Sequence, residues 1–143
     1  MPAGCDRIER VVDQVHPHLV ELGPHRVGSR QIVRQIHDAV KSGKLRPETP
    51  LPTVRQLAGD LAINRNTVAR AYQLLEAQGV ILTAGRKGTF IRQGASREVT
   101  KVRTTRAEHV MRRVVRTLLG DGLSRKEIAE MFTSVLRIEG RKG

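Results

Sequence analysis

The stretch from Leu51 to Ile91 constrains the fold more than any other part of the chain, because it carries signals that start and end two consecutive helices. Thr53, with a glutamine three residues later, forms a capping box, which predicts that a helix begins there. Asn64 is a good N-cap for a second helix over Arg65–Gln78, and Gly79 suits the left-handed conformation that ends one. The stretch therefore predicts two short helices joined by a tight turn.

The second of these helices divides into two faces of different chemistry. An apolar face is predicted by four residues at helical spacing, Val68, Ala71, Tyr72 and Leu75. The opposite face carries Asn66, Arg70 and Gln73, flanked by Arg65 and Ala69. Arginine can bind guanine bidentately, and asparagine or glutamine can bind adenine. Exposed polar residues on a helix are most often merely solvated, but beside a partner helix and a hairpin this face favours contact with bases in DNA.

A β-hairpin with a basic tip is predicted directly after this helix. Val80–Thr83 and Thr89–Ile91 are short β-prone runs, and Gly85-Arg86-Lys87-Gly88 lies between them with glycines where a turn needs positive φ. Two adjacent cations on a hairpin tip are suited to a phosphate or minor-groove contact. A basic turn is usually only a solvated turn, but one that follows a helix-turn-helix is more often a wing.

These motifs resemble the winged helix-turn-helix of the GntR family of bacterial transcription regulators. The resemblance covers roughly Val27 to Arg92 and rests on three groups of residues: Leu51-Pro52-Thr53-Val54-Arg55-Gln56-Leu57-Ala58, Asn64-Arg65-Asn66-Thr67-Val68 with Leu75-Glu76-Ala77-Gln78-Gly79, and Gly88-Thr89-Phe90. It implies that operator contacts come from the arginine at position 55, from the first turn of the second helix and from the wing-tip glycine. Several family members carry an arginine where this chain has Ala69, and here Arg70 follows instead, so the register of base contacts on the helix stays open.

The residues and the resemblance together give one set of candidate DNA-binding positions. It comprises Arg55, Asn64, Arg65, Asn66, Thr67, Arg70, Gln73, Arg86, Lys87, Gly88 and Thr89.

The composition agrees with a protein that binds duplex DNA. Twenty-six Lys and Arg against fourteen Asp and Glu give a net charge of +12, which attracts polyanions. Only 2% of residues are aromatic, which argues against single-stranded nucleic acid, whose binders need stacking platforms. Cys5 is the only cysteine, so an internal disulfide is excluded and a reducing compartment is favoured. No apolar run approaches transmembrane length, and we expect a soluble, cytoplasmic protein.

Neither a catalytic site nor a cofactor or metal site is predicted. The sequence has no Ser-His-Asp or Cys-His constellation and no phosphate-cradling glycine loop, so an enzyme has little support. His16, His18 and His25 lie near one another, but no carboxylate or cysteine joins them at a recognisable ligand spacing, so we expect no metal there.

The remaining segments complete the expected architecture. Residues 1–26 form an N-terminal arm of unassigned function, and 27–92 form the winged domain. Within it Ser29 caps a structural helix that runs to about Ser42, and the proline-rich segment 44–52 is extended. A polar linker is predicted over 93–104, a two-helix region over 105–139 and a short tail over 140–143. The expected fold class is mainly α with a small β-hairpin, an N-terminal winged helix-turn-helix followed by a two-helix dimerisation hairpin.

The two C-terminal helices are predicted from capping boxes at Thr105 and Ser124 and from apolar stripes at three-four spacing. Two helices cannot cover both stripes by packing on each other alone, so we expect a second copy of the chain to cover them, in preference to packing against the winged domain. The predicted interface comprises Val110, Met111, Val114, Leu118, Ile128, Met131, Phe132 and Val135. This tail resembles that of the YtrA-like subfamily, in which a short helical tail serves chiefly for dimerisation.

Two functions remain open at this point. The resemblance implies a homodimeric repressor of a palindromic operator, with an unidentified small-molecule effector that binds at the dimer interface or between the domains. The alternative is a non-specific architectural duplex-DNA-binding protein driven by its charge alone. The mixture of Asn, Thr and Gln with Arg on the second helix favours the first, because a helix that only grips phosphates would be more uniformly cationic.

Overall fold

A computed structural model describes residues 27–141, and these divide into two compact units, 27–102 and 103–141. The chain is mainly helical with a three-stranded antiparallel sheet, which confirms the expected fold class. The expected N-terminal arm, with Cys5 and the histidines at 16, 18 and 25, lies outside the described residues, as do the last two residues of the expected tail.

Helix α1 spans Ser29–Lys41 and is a structural helix, as expected. Its N-cap is Gly28 rather than Ser29, because the backbone N–H of Gly28 donates to Oε1 of Gln31 at 3.2 Å and Ser29 is already helical. The helix buries Ile32, Val33, Ile36 and Val40, which recur at helical spacing. Gly43 follows with φ of +78°, a conformation that glycine adopts without strain.

Helices α2 (Val54–Leu61) and α3 (Arg65–Ala77) form the helix-turn-helix that the capping signals predict. The backbone N–H of Gln56 donates to Thr53 Oγ1 at 3.1 Å, and the N–H of Thr53 donates to Gln56 Oε1 at 2.9 Å. Ala62 ends α2 with φ of 52° and ψ of 44°, a left-handed conformation that is unfavourable for a residue with a Cβ. The turn between the helices therefore stores some backbone strain.

The sheet has three strands, β1 (Pro50–Leu51), β2 (Ile81–Thr83) and β3 (Thr89–Ile91), in the order β1-β3-β2. The predicted hairpin is β2 and β3, whereas β1 was expected only to be extended. It pairs with β3 so that Leu51 lies opposite Thr89. As an edge strand it tolerates proline, because its unpaired side needs no N–H.

The hydrophobic core of the first unit is built from side chains of its helices and its sheet. The largest buried side chains are contributed by α1, α2, α3, the residue before β2, strands β2 and β3 and the start of the next helix: Ile32, Ile36, Leu57, Val68, Leu75, Val80, Ile81, Ile91 and Val99. Buried polar groups are paired. The Tyr72 hydroxyl donates to the carbonyl oxygen of Pro52 at 2.7 Å, and His37 Nε2 lies 2.8 Å from Gln78 Oε1. Burial raises the pKa of Tyr72 well above its usual range.

Helix α4 spans Ala95–Gly120, so the helix that we expected to begin at Thr105 begins ten residues earlier. Most of the expected linker 93–104 is therefore helical, and Thr105 lies inside a helix rather than at its cap. The physical reason is burial on one side only: Ala95 and Val99 are 1% and 0% exposed in the core, while the residues around them are polar and mostly exposed. A polar segment with one buried face looks like a linker in a sequence.

The second unit consists of the rest of α4 and helix α5 (Arg125–Glu139). The turn between them places Gly122 at φ of +92°. The predicted capping box is present, because Glu127 N–H donates to Ser124 Oγ at 3.3 Å and Ser124 N–H donates to Glu127 Oε2 at 2.8 Å. The hydrogen bond that the backbone N–H of Ser124 donates to the Glu127 carboxylate lowers the pKa of Glu127.

Candidate nucleic-acid interface

Helix α3 presents a polar face to solvent and buries the opposite one. Val68, Ala71 and Leu75 are each 0% exposed, and Tyr72 is buried with them. Asn66, Arg70 and Gln73 are exposed on the other side, as the periodicity of the sequence predicts. The polar side chains are thus held on a helix whose position is determined by the core, which is the arrangement needed to insert side chains into a major groove.

The side chain of Asn64 caps the N-terminus of α3. Its Oδ1 accepts from the backbone N–H of Asn66 at 2.8 Å, so the side-chain NH₂ is left to donate outward. Arg65 and Asn66 are exposed beside it, and Thr67 is half-buried. Neither α3 nor α2 has an acidic residue in its first turn, so the partial positive charge of both helix N-termini is uncompensated there. This suits a phosphate group.

Arg55 lies on the first turn of α2 and is exposed. The hydroxyl of Tyr72 in α3 donates a hydrogen bond to Pro52, which lies just before α2. This bond fixes the start of α2 against α3. The arginine that the family resemblance assigns to the operator is therefore on a fixed element and not on a loop.

The hairpin tip is a short 3₁₀ turn over Gly85–Lys87. The N–H of Ala84 donates to the carbonyl oxygen of Gly88 at 2.8 Å and closes the turn. Gly88 has φ of +95° and ψ of −163°, a region that only glycine populates freely. Arg86 and Lys87 are exposed at the tip, as the sequence predicts, while Gly88 and Thr89 are half-buried below it.

A hydrogen bond that the sequence does not signal connects the hairpin to α3. The backbone N–H of Thr83 donates to Glu76 Oε1 at 3.2 Å. Glu76 is on the exposed side of α3 and Thr83 is the last residue of β2. The carboxylate therefore serves to hold the wing to the helix, a role that a sequence pattern cannot reveal because it depends on how the two elements pack.

Arg30 was not among the predicted residues, but the structure places it beside α3. An open depression of about 440 Å³ is lined by Gly28, Ser29, Arg30, Arg70 and Leu74. Arg30 is exposed in the first turn of α1, so two arginines border one concave surface next to the polar face of α3. The spacing of polar residues in α1 indicates that Arg30 points to solvent. Only the packing of α1 on α3 shows that it lies beside Arg70.

Comparison with known proteins agrees with this geometry. The family model described as "Bacterial regulatory proteins, gntR family" matches residues 29–91. The crystal structure of a transcriptional regulator from Oenococcus oeni is 35% identical, with a TM-score of 0.61, and covers 76% of this chain and 89% of its own. The chain belongs to the GntR family of bacterial regulatory proteins.

Two curated relatives of this GntR-family chain are informative. The HTH-type transcriptional regulator Rv1152 of Mycobacterium tuberculosis is 54% identical over 43% of this chain, which spans 50% of that protein. The HTH-type transcriptional repressor YtrA of Bacillus subtilis is 32% identical over 59% of this chain, which spans 65% of YtrA. The family description and both names denote transcription regulators and not enzymes.

The second unit of this GntR-family chain leaves most of the predicted interface uncovered. Five of its residues are 40% to 53% exposed, namely Val110, Met111, Val114, Met131 and Val135. Leu118 and Phe132 are half-buried. Ile128 is only 5% exposed, so it belongs to the interior of the unit rather than to a surface that another chain can cover.

The described residues hold neither a metal-ligand cluster nor a membrane-spanning helix. Within 27–141, no three His, Cys, Asp or Glu side chains are grouped so that they could hold a metal ion. Among the helices of that same range, none combines the length and the hydropathy needed to cross a membrane.

Proposed function

We propose that this GntR-family protein is a sequence-specific transcription regulator that binds duplex DNA with α3 in the major groove. The single observation that supports this most strongly is the division of α3 into a fully buried face and an exposed face of Asn66, Arg70 and Gln73. These side chains offer the donors and acceptors that distinguish base pairs in the major groove. Their backbone cannot shift without disrupting the core.

The other exposed residues supply contacts that hold the duplex without reading it. Arg55 and the NH₂ group of Asn64 lie at helix N-termini free of acidic residues, and both are suited to phosphate oxygens. Arg86 and Lys87 at the wing tip reach the backbone or minor groove beside the site. In this proposal α3 specifies the sequence, and α2 and the wing supply most of the affinity.

The proposal extends to a cytoplasmic homodimer that represses transcription from a palindromic operator. Two features support it: the exposed apolar residues of α4 and α5, and a relative in Bacillus subtilis that is named a repressor. A symmetric dimer presents two copies of α3 related by a two-fold axis, which matches a palindrome read on successive major-groove faces. A small-molecule effector would then act where the two chains meet.

The test is a titration of the protein into labelled duplexes at near-physiological salt. One duplex carries the DNA upstream of the protein's own gene, and the other is a shuffled version of equal composition. We expect the native duplex to bind about a thousandfold more tightly or better. Equal affinity for both would overturn sequence-specific regulation and favour the architectural alternative, in which the +12 charge alone drives binding.

Two variants separate the assigned roles. Arg70→Ala should reduce the discrimination between native and shuffled duplex by about 1–3 kcal/mol, because it removes a base contact. Arg86→Ala removes the same side chain from the wing and should weaken both duplexes equally. If the two variants show the same loss on both duplexes, the roles of α3 and the wing are wrongly assigned.

A further inference from the structure

One side of α4 carries a row of arginines that neither the winged region nor the expected dimer interface uses. Arg106, Arg113 and Arg116 recur at intervals of seven and three residues, with His109 between the first two, and all four are exposed. At 3.6 residues per turn these positions fall on one side of the helix. We refer to Arg106, Arg113 and Arg116 as the basic stripe.

The basic stripe lies opposite the apolar residues of the same helix. Met111, Val114 and Leu118 recur at three-four spacing about half a turn away from the arginines. A second copy of the chain that covers these apolar residues therefore leaves the basic stripe accessible. Dimerisation through Met111, Val114 and Leu118 is therefore compatible with a contact made by the arginines, and Val110 lies at the border between the two surfaces.

The basic stripe is also free of acidic partners within the described residues. Arg112, which borders the basic stripe, is 3.7 Å from the Glu108 carboxylate, whereas the three stripe arginines have no carboxylate at ion-pair distance in residues 27–141. Like charges grouped without compensation repel one another, and a polyanion relieves that repulsion. The span from Arg106 to Arg116 is about 15 Å along the helix, enough to reach several phosphates of one DNA strand.

We propose that the basic stripe is an additional DNA-binding surface, which contacts the phosphate backbone outside the segment read by α3 and the wing. This inference rests on the proposed function, since it takes duplex DNA as the partner. Arginine presents a planar fork that binds phosphate bidentately, and the stripe consists of arginine rather than lysine. The surface is independent of sequence and adds affinity to specific and non-specific binding alike.

The test compares two triple variants of the full chain that change the charge equally. The stripe variant carries Arg106→Gln, Arg113→Gln and Arg116→Gln. The control carries Arg125→Gln, Arg137→Gln and Arg141→Gln, which removes three exposed arginines from elsewhere in the same unit. Glutamine keeps the helix because its propensity is close to that of arginine. Sedimentation of each variant checks that its oligomeric state equals that of the unmodified protein.

The readout is the salt dependence of binding to a duplex that extends at least ten base pairs beyond the operator on each side. Each phosphate contact contributes about −0.9 to the slope of log affinity against log salt, so the stripe variant should be shallower by about 2.7 per chain. Its affinity for native and shuffled duplexes should fall by the same factor. The control should change the slope by less than half as much.

Equal slopes for the two variants would overturn the inference, because the arginines would then act only through net charge. Loss of binding to anionic phosphatidylserine vesicles, with duplex binding unchanged, would also overturn it and assign the basic stripe to a membrane surface. Failure of the proposed function gives a different result. In that case the unmodified protein does not distinguish native from shuffled duplex, while the difference between stripe and control slopes still reports phosphate contact.

Discussion

The two units differ in how completely each one covers its own apolar side chains. Between residues 27 and 102, only Leu74 and Leu82 are large apolar side chains with substantial exposure. Between 103 and 141, eight such residues are exposed: Val110, Met111, Val114, Leu119, Met131, Val135, Leu136 and Ile138. Three helices and a sheet enclose a core, whereas two helices have too few faces to do so. The first unit therefore covers its core with its own contacts, whereas the second leaves an apolar face that the proposed second copy would cover.

The largest expected effect is on the closed core of the first unit. Leu75→Ala should lower the free energy of unfolding by about 2–5 kcal/mol, because Leu75 is 0% exposed and its truncation leaves a cavity. Urea denaturation monitored by circular dichroism measures the change. The loss should be independent of protein concentration, since the core lies within one chain.

Leu74→Ala is the matched control, because it makes the same chemical change one residue away at a position that is 39% exposed. It should cost less than about 1 kcal/mol. A similar loss for both substitutions would show that α3 is not fixed by its buried face, and the rigid presentation of its polar face would then be wrong.

The next effect concerns the open apolar face of the second unit. Val135→Glu should weaken self-association at least a hundredfold, about 2.8 kcal/mol, because a symmetric interface would bury the introduced charge twice. Val135 is 53% exposed, so the substitution leaves the single chain largely undisturbed. Sedimentation equilibrium measures the change, and affinity for a full palindrome should fall while affinity for a half-site stays the same.

Ser134→Glu introduces the same residue at the neighbouring position, which is exposed on the polar side of α5. It should leave self-association unchanged. A monomeric unmodified protein, or equal weakening by both variants, would show that no second copy covers this face.

A smaller effect tests the hydrogen bond that joins α3 to the segment before α2. Tyr72→Phe should cost about 1–2 kcal/mol at pH 7, because the buried carbonyl oxygen of Pro52 loses its donor while the ring stays in place. Burial raises the pKa of Tyr72, so the folded state holds this proton more tightly than the unfolded state. Stability from this group is therefore fully present below the unfolded pKa of about 10 and falls as pH rises above it.

Phenylalanine has no proton to lose, so the stability gap between Tyr72→Phe and the unmodified protein should narrow above about pH 10. Denaturant titrations at pH 7 and at pH 10.5 measure it. A gap that stays constant across this range would contradict a buried, neutral Tyr72 hydroxyl in the folded state.

What the sequence could predict depends on whether a structural feature is made by neighbouring residues or by residues far apart in the chain. Thr53, Asn64 and Ser124 cap their helices as expected, because each acts on a backbone N–H two or three residues away. Strand β1 could not be predicted, since its two residues are defined only by pairing with β3 some forty positions later. The early start of α4 likewise depends on a core that buries Ala95 and Val99.

In the candidate site, too, features set by one helix could be predicted, and features set by packing between elements could not. Helical periodicity alone predicts that Asn66, Arg70 and Gln73 point outward, because the signal is contained in α3 itself. The bond from Thr83 to Glu76 and the position of Arg30 beside Arg70 depend on packing between elements, and no spacing in the sequence encodes them. In the second unit the apolar stripes are visible in the sequence, but the burial of Ile128 is not.

The smallest effect tests whether the closed core of the first unit is what holds a strained turn in place. Ala62 has φ of 52°, and glycine adopts this conformation without the clash of a Cβ. Ala62→Gly should raise the free energy of unfolding by about 0.5–1 kcal/mol, since the relief of strain exceeds the extra entropy that glycine gives the unfolded chain. Ala69→Gly, the same change inside α3, should instead lower it by about 0.5–1 kcal/mol. Thermal denaturation measures both changes. A gain for Ala62→Gly with a loss for Ala69→Gly would show that the core holds Ala62 in the left-handed conformation against its own preference. A loss for both variants would mean that the turn is not strained by alanine, and that the core does not impose its conformation.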